Sequence, residues 1–111
     1  MKLTHENYDQ LTVMVLHGEM TADQIDAFRK LAMERLEAQV RDFVLEISGV
    51  EFIDSKGLET VLWLQEQAGE KLGQVRFAAP TENVKKIFEM TRLAPRFDCH
   101  ATVEAAIKSL R

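Results

Sequence analysis

The segment Phe43-Val44-Leu45-Glu46-Ile47 is apolar except at Glu46 and rich in branched and aromatic side chains. Runs of this kind suit a strand covered on both faces. Such a strand needs neighbours in the sheet and layers above and below it, and the flanking segments supply them. Leu11-Thr12-Val13-Met14-Val15-Leu16 is short and alternating, the pattern of a strand that ends at Gly18. Lys2 to Glu6 fits as its hairpin partner, with Asn7-Tyr8-Asp9-Gln10 as the turn. Val75-Arg76-Phe77-Ala78 reads as a third main strand.

Helical periodicity separates these strands. Ile25, Phe28, Leu31, Ala32 and Leu36 recur at helical spacing, with Asp26, Arg29, Lys30, Glu34 and Glu37 on the opposite side. Thr21-Ala22-Asp23-Gln24 has the form of a capping box at its start. A second helix is expected from Leu58 to about Leu72, with Leu58, Val61, Leu62, Leu64, Gln65 and Ala68 on its inner stripe and Gly73 as its stop. Thr81 is a natural N-cap for a third helix through Val84, Ile87, Phe88 and Met90. A last helix is expected after Thr102, carrying Val103, Ala106, Ile107 and Leu110. Strands alternating with helices imply crossovers and a largely parallel sheet. The expected fold class is α/β: a single small domain over residues 1–111, with a mixed, mostly parallel sheet of about four or five strands, an N-terminal hairpin and about four helices.

A chain of 111 residues with 46% hydrophobic and 29% charged residues is long enough for one core. The formal net charge is -4 and the sequence pI is about 5.4. Domains that read nucleic acid usually carry a basic face and a pI above about 9. Here the only adjacent basic pairs are Arg29-Lys30 and Lys85-Lys86, so no nucleic-acid partner is expected. Cys99 is the single cysteine, which excludes an internal disulfide and suits a reducing compartment. The N-terminus, Met1-Lys2-Leu3-Thr4-His5-Glu6, soon turns polar and lacks a signal-peptide core. Val61-Leu62-Trp63-Leu64 stops at Gln65, far short of the ~20 apolar residues that span a bilayer. The expectation is a cytoplasmic protein without a membrane partner.

In open α/β sheets, function gathers at the carboxyl ends of the strands. Three turns belong there: Gly18-Glu19-Met20-Thr21, Asp54-Ser55-Lys56-Gly57 and Ala79-Pro80-Thr81. Ser55 stands where a strand gives way to a helix, beside unpaired N–H groups and a dipole that favours negative charge. Two readings follow. Asp54 or Ser55 is simply the N-cap, worth roughly 1 kcal/mol. Alternatively Ser55 accepts a phosphate, which would add about -1.5 to -2 charge at a helix end that tolerates anions. The run Ile53-Asp54-Ser55-Lys56-Gly57 is not the G-x-S-x-G elbow of a hydrolase, so catalysis at Ser55 is the weaker alternative. A phospho-aspartate at Asp54 would need a further acidic pair, which Glu19 alone does not make. His5, His17 and His100 lack zinc spacing, and no phosphate-binding glycine loop occurs. No cofactor and no metal is expected. Trp63 sits among apolar neighbours, in the core or at a partner contact.

The run from Phe43 through Ser48-Gly49-Val50-Glu51-Phe52-Ile53-Asp54-Ser55-Lys56-Gly57-Leu58 closely resembles the signature of STAS domains, the anti-sigma factor antagonist family. Gly18-Glu19 matches the first motif of that family, and Thr102 to Ile107 resembles its terminal helix. The resemblance implies a non-enzymatic partner switch. The unphosphorylated domain would bind an anti-sigma factor that is also a serine kinase, freeing the sigma factor. Phosphorylation would break the complex, and a serine phosphatase would reset it. Carried onto this chain, the resemblance makes Ser55 the phosphoacceptor and Glu19, Thr21, Asp54, Ser55, Lys56, Gly57 and Thr81 the partner-binding residues, with Gly57 allowing close backbone approach. The chain departs from the family pattern at Thr21, where an Asp is common, and at Lys56, where a small residue is common. A scaffold or regulator in a related circuit, ending in a phosphatase or in secretion control, is the alternative. Oligomeric state is not legible.

Overall fold

The spine of the molecule is a 12-residue strand at the centre of a five-stranded sheet. The computed structural model describes residues 1–110. In chain order the strands are β1 (Lys2–Tyr8), β2 (Leu11–Met20), β3 (Asp42–Ile53), β4 (Val75–Ala78) and β5 (Cys99–His100). The helices are α1 (Asp26–Glu37), α2 (Ser55–Glu70), α3 (Glu82–Met90) and α4 (Val103–Lys108), with a 3-10 turn at Ala94–Arg96. Spatial order equals chain order, β1-β2-β3-β4-β5. The β1–β2 hairpin is antiparallel and every other pairing is parallel. The α/β class and the mixed sheet expected from the alternation are therefore present.

Side-chain alternation along β3 divides the core. Phe43, Leu45 and Ile47 join Met14 and Leu16 of β2 and Phe77 of β4 in one apolar cluster. α1 adds Phe28, Ala32 and Leu36, α2 adds Leu58, Val61, Leu64 and Ala68, and α3 adds Val84 and Phe88. Val44 points the other way and meets Val13, Ala78 and Ala106 of α4. The three crossovers all step in the same direction across the sheet. With one handedness throughout, they must leave their helices on one face. That accounts for α1, α2 and α3 sharing the larger cluster. Phe77, Phe88 and Phe97 close it with ring centroids 4.8–5.3 Å apart, in tilted and edge-on contacts.

Several local expectations change in three dimensions. β2 does not end at Gly18 but runs to Met20, absorbing register shifts on either side of that residue. Gly18 adopts φ +115°, which a side chain would resist. β3 continues past Ile47 to Ile53, carrying its pairing with β2 up to the site. The capping box at Thr21 does not form. Thr21 accepts the Gln24 and Ile25 N–H groups through its carbonyl, at 2.9 and 2.8 Å. The Gln24 side chain instead accepts from the Met1 amino group at 2.7 Å. α1 consequently starts at Asp26 with Ile25 before it. After α2 the left-handed residue is Leu72, at φ +63°, rather than the adjacent glycine. Met90 is 82% exposed and not part of the inner face of α3.

Candidate functional site

The carboxyl ends of β2, β3 and β4 come to one edge of the sheet. Because strand order never reverses among the described residues, this edge has no switch-point crevice of the kind that holds cofactors in doubly wound sheets. What it offers is a surface. In the β2–β3 register Glu19 lies opposite Phe52 and Met20 opposite Ile53. The Asp54 N–H donates to the Met20 carbonyl at 3.1 Å, continuing that pairing one residue beyond β3.

Asp54 is the N-cap of α2. Its Oδ1 accepts the Gly57 N–H at 2.9 Å, and its Oδ2 accepts the Ala22 N–H at 3.0 Å. These two backbone donors, Gly57 first and Ala22 second, hold the Asp54 carboxyl below the ordinary aspartate range, because both favour the ionised form. The carboxylate thus closes the first turn of α2 and pins it to the β2–α1 loop. The choice between Asp54 and Ser55 as cap is settled, and Ser55 is left as the first helical residue, exposed to solvent.

The other sequence-picked residues divide by role. Lys56 and Glu19 are exposed. The Lys56 carbonyl accepts from the Thr60 hydroxyl at 2.8 Å. Thr21 is half-buried in the loop that Asp54 pins. The Thr81 hydroxyl accepts the Val84 N–H at 3.2 Å and donates to the Val50 carbonyl at 3.3 Å, so it caps α3 and ties it to β3. Asn83 Nδ2 reinforces this by donating to the Glu51 carbonyl at 2.5 Å. Gly57 does not leave its backbone open to a partner. It is buried, and a Cβ there would sit 2.2 Å from the Met20 carbonyl oxygen. Its bareness lets α2 pack on the end of β2.

Beside Ser55 the structure opens an apolar groove of about 340 Å3, lined by Phe52, Ser55, Leu58, Ile87, Met90 and their neighbours. Phe52 is 42% exposed and Met90 82% exposed. Sequence reasoning missed this feature. Phe52 carried a signal, since alternation places it opposite in facing to the buried Ile53. Met90 carried one in being two residues beyond the buried Phe88, off the inner stripe. Their convergence from β3 and α3 carried none. His100, the only histidine downstream of Ser55, lies on β5, two strands from β3, with Nε2 buried and unpaired among the described residues. Trp63 is half-buried on α2 and packs under the Arg29 guanidinium, 4.1 Å from the ring centroid.

The STAS domain family profile matches residues 2–106. This chain belongs to the STAS domain family. The STAS domain is 25% identical over 103 residues to the anti-sigma F factor antagonist of Lysinibacillus sphaericus, spanning 92% of this chain and 87% of that protein. It superposes on the unphosphorylated form of the anti-sigma factor antagonist SpoIIAA with a TM-score of 0.85 and 23% identity, covering 99% of this chain and 96% of that one. The phosphorylated form of the Bacillus cell fate determinant SpoIIAA matches with a TM-score of 0.76 and 22% identity, over 99% of this chain and 100% of that one. These likenesses establish the fold. No helix among the described residues of the STAS domain is long and apolar enough to cross a membrane.

Proposed function

We propose that this STAS domain is an anti-sigma factor antagonist that works by partner switching in the cytoplasm. Unphosphorylated, it binds an anti-sigma factor that is also a serine kinase and so releases the sigma factor. Phosphorylation of Ser55 abolishes that binding, and a serine phosphatase restores it. The domain itself performs no catalysis. The name of the Lysinibacillus sphaericus relative supports the pathway. The single observation that carries the switch is the division of labour at the start of α2. Asp54 takes the capping role, and Ser55 remains exposed on the rim of an apolar groove.

The chemistry follows from that placement. A phosphate on Ser55 adds about -1.5 to -2 charge at a helix N-terminus, where the dipole tolerates it and α2 stays formed. It also stands next to the ionised Asp54 and above Phe52 and Met90. A partner that buries those side chains would have to strip water from the dianion, and an unpaired buried charge is costly. Lys56 is the nearest exposed cation in sequence and offers the phosphate a charge partner in the free protein. Binding is thereby lost without refolding.

The test uses the cognate anti-sigma factor kinase and ATP, followed by mass spectrometry and calorimetric titration. One phosphate, on Ser55, is expected. Wild type and Ser55→Ala should bind the kinase, and Ser55→Asp and the phosphorylated protein should not. Phosphate found elsewhere, or equal affinity for wild type and the phosphorylated protein, overturns the switch.

A further inference from the structure

Apart from Arg29, which packs on Trp63, the outer face of α1 is unused by the fold. Phe28, Ala32 and Leu36 are buried, whereas Asp26, Arg29, Lys30, Met33, Glu34 and Glu37 line a shallow external groove of about 480 Å3. Met33 lies at its middle and is 45% exposed. Among the described residues, Asp26, Lys30, Glu34 and Glu37 enter none of the ion pairs, although Lys30 is one helical turn from both Asp26 and Glu34. Asp26 is accounted for by its place in the first turn, where the helix dipole favours an acid.

The remaining charges change sign at Met33. Arg29 and Lys30 precede it, and Glu34 and Glu37 follow it. A pattern that inverts about one residue is complementary to itself about a two-fold axis through that residue. A parallel copy would set like charge on like. An antiparallel copy sets Glu37 of the second molecule opposite Arg29 and within one residue of Lys30, and the reverse. We infer that this face of α1 docks against α1 of a second copy of the chain, antiparallel, with Met33 on Met33 at the axis. This docking is independent of the switch at Ser55. The 12-residue helix is about 18 Å long, so the contact is small and the dimer weak and reversible. Arg29 is held by Trp63, and its removal would also disturb the α1–α2 contact.

Sedimentation of the full chain over a concentration series to about 1 mM reads the association. A concentration-dependent dimer is expected, weakened severalfold when salt rises from about 0.05 to about 0.5 M. Met33→Glu and Lys30→Glu should each be monomeric, with the helical signature and unfolding midpoint close to wild type. The decisive arm mixes Lys30→Glu with Glu37→Lys, because both cross-pairs are then opposite in charge while either homodimer opposes like charges. The mixture should associate about tenfold or more tightly than either variant alone. A monomeric wild type at the highest concentration overturns the inference. So does a dimer indifferent to Met33→Glu, or a mixture no tighter than its parts.

Discussion

Asp54 Oδ2 accepts the Ala22 N–H at 3.0 Å across 32 residues of chain, while Oδ1 of the same carboxylate caps its own helix at Gly57. One side chain therefore aligns the two loops that frame Ser55. Removing it strips a cap worth about 1 kcal/mol and a second charged hydrogen bond worth about as much. Asp54→Ala should lower unfolding stability by about 2 kcal/mol, and Asp54→Asn by less, as measured by urea denaturation.

The same carboxylate makes part of the stability depend on pH. Its folded-state pKa lies below the unfolded value. Its contribution is thus complete above the unfolded value, about 3.9, and disappears as pH falls through the lower folded value. Asp54→Asn should flatten the acid limb of a plot of urea midpoint against pH between about 5 and about 2. An unchanged slope would mean the carboxylate is not held as described.

Met90 buries little in the free protein, so truncating it should leave stability within about 0.5 kcal/mol of wild type, whereas truncating Phe52, which is 42% exposed, should cost about 1 kcal/mol. If the groove beside Ser55 receives the partner, the larger cost appears in binding. Phe52→Ala should weaken the kinase complex by about tenfold or more, and Met90→Ala by a similar or smaller factor, in titration calorimetry.

Gly57→Ala adds a Cβ that would lie 2.2 Å from the Met20 carbonyl oxygen and 2.8 Å from Ile53 Cγ2. Neither is the end of a flexible chain, so α2 must shift. A loss of about 1–3 kcal/mol is expected in thermal or urea unfolding. Phosphorylation and partner binding should fail alongside it, because the first turn of α2 moves with the strain.

Leu72 points the other way. It is 88% exposed and sits at φ +63°, a conformation that costs an ordinary side chain about 1–2 kcal/mol. Leu72→Gly should raise stability by about 0.5–1 kcal/mol, seen as a higher urea midpoint, with no change in kinase binding.

The parts of this fold legible in the sequence are those whose cause lies within a few residues. Thr81 caps α3 as read, and α4 starts after Thr102 as expected with Thr102 as its cap, because each hydroxyl reaches an N–H only three residues on. Val75–Ala78 is the strand its composition describes. Ser55 was visible as a serine at a strand-to-helix junction, and so was the acidic residue before it. The Thr21 capping box failed for the opposite reason. The amino group of Met1, 23 residues away, took the Gln24 oxygen that the motif required.

Periodicity, caps and charge determined the α/β class, the helix faces and the candidate serine, since each arises from the spacing of neighbours along one chain. Tertiary structure alone decided that Asp54 bridges to Ala22, that Gly57 is bare for Met20 rather than for a partner, and that Phe52 and Met90 meet beside Ser55. Those contacts depend on the register of β2 against β3 and on how far α2 and α3 stand apart. Both are set by the packing of the whole core, which no local pattern encodes.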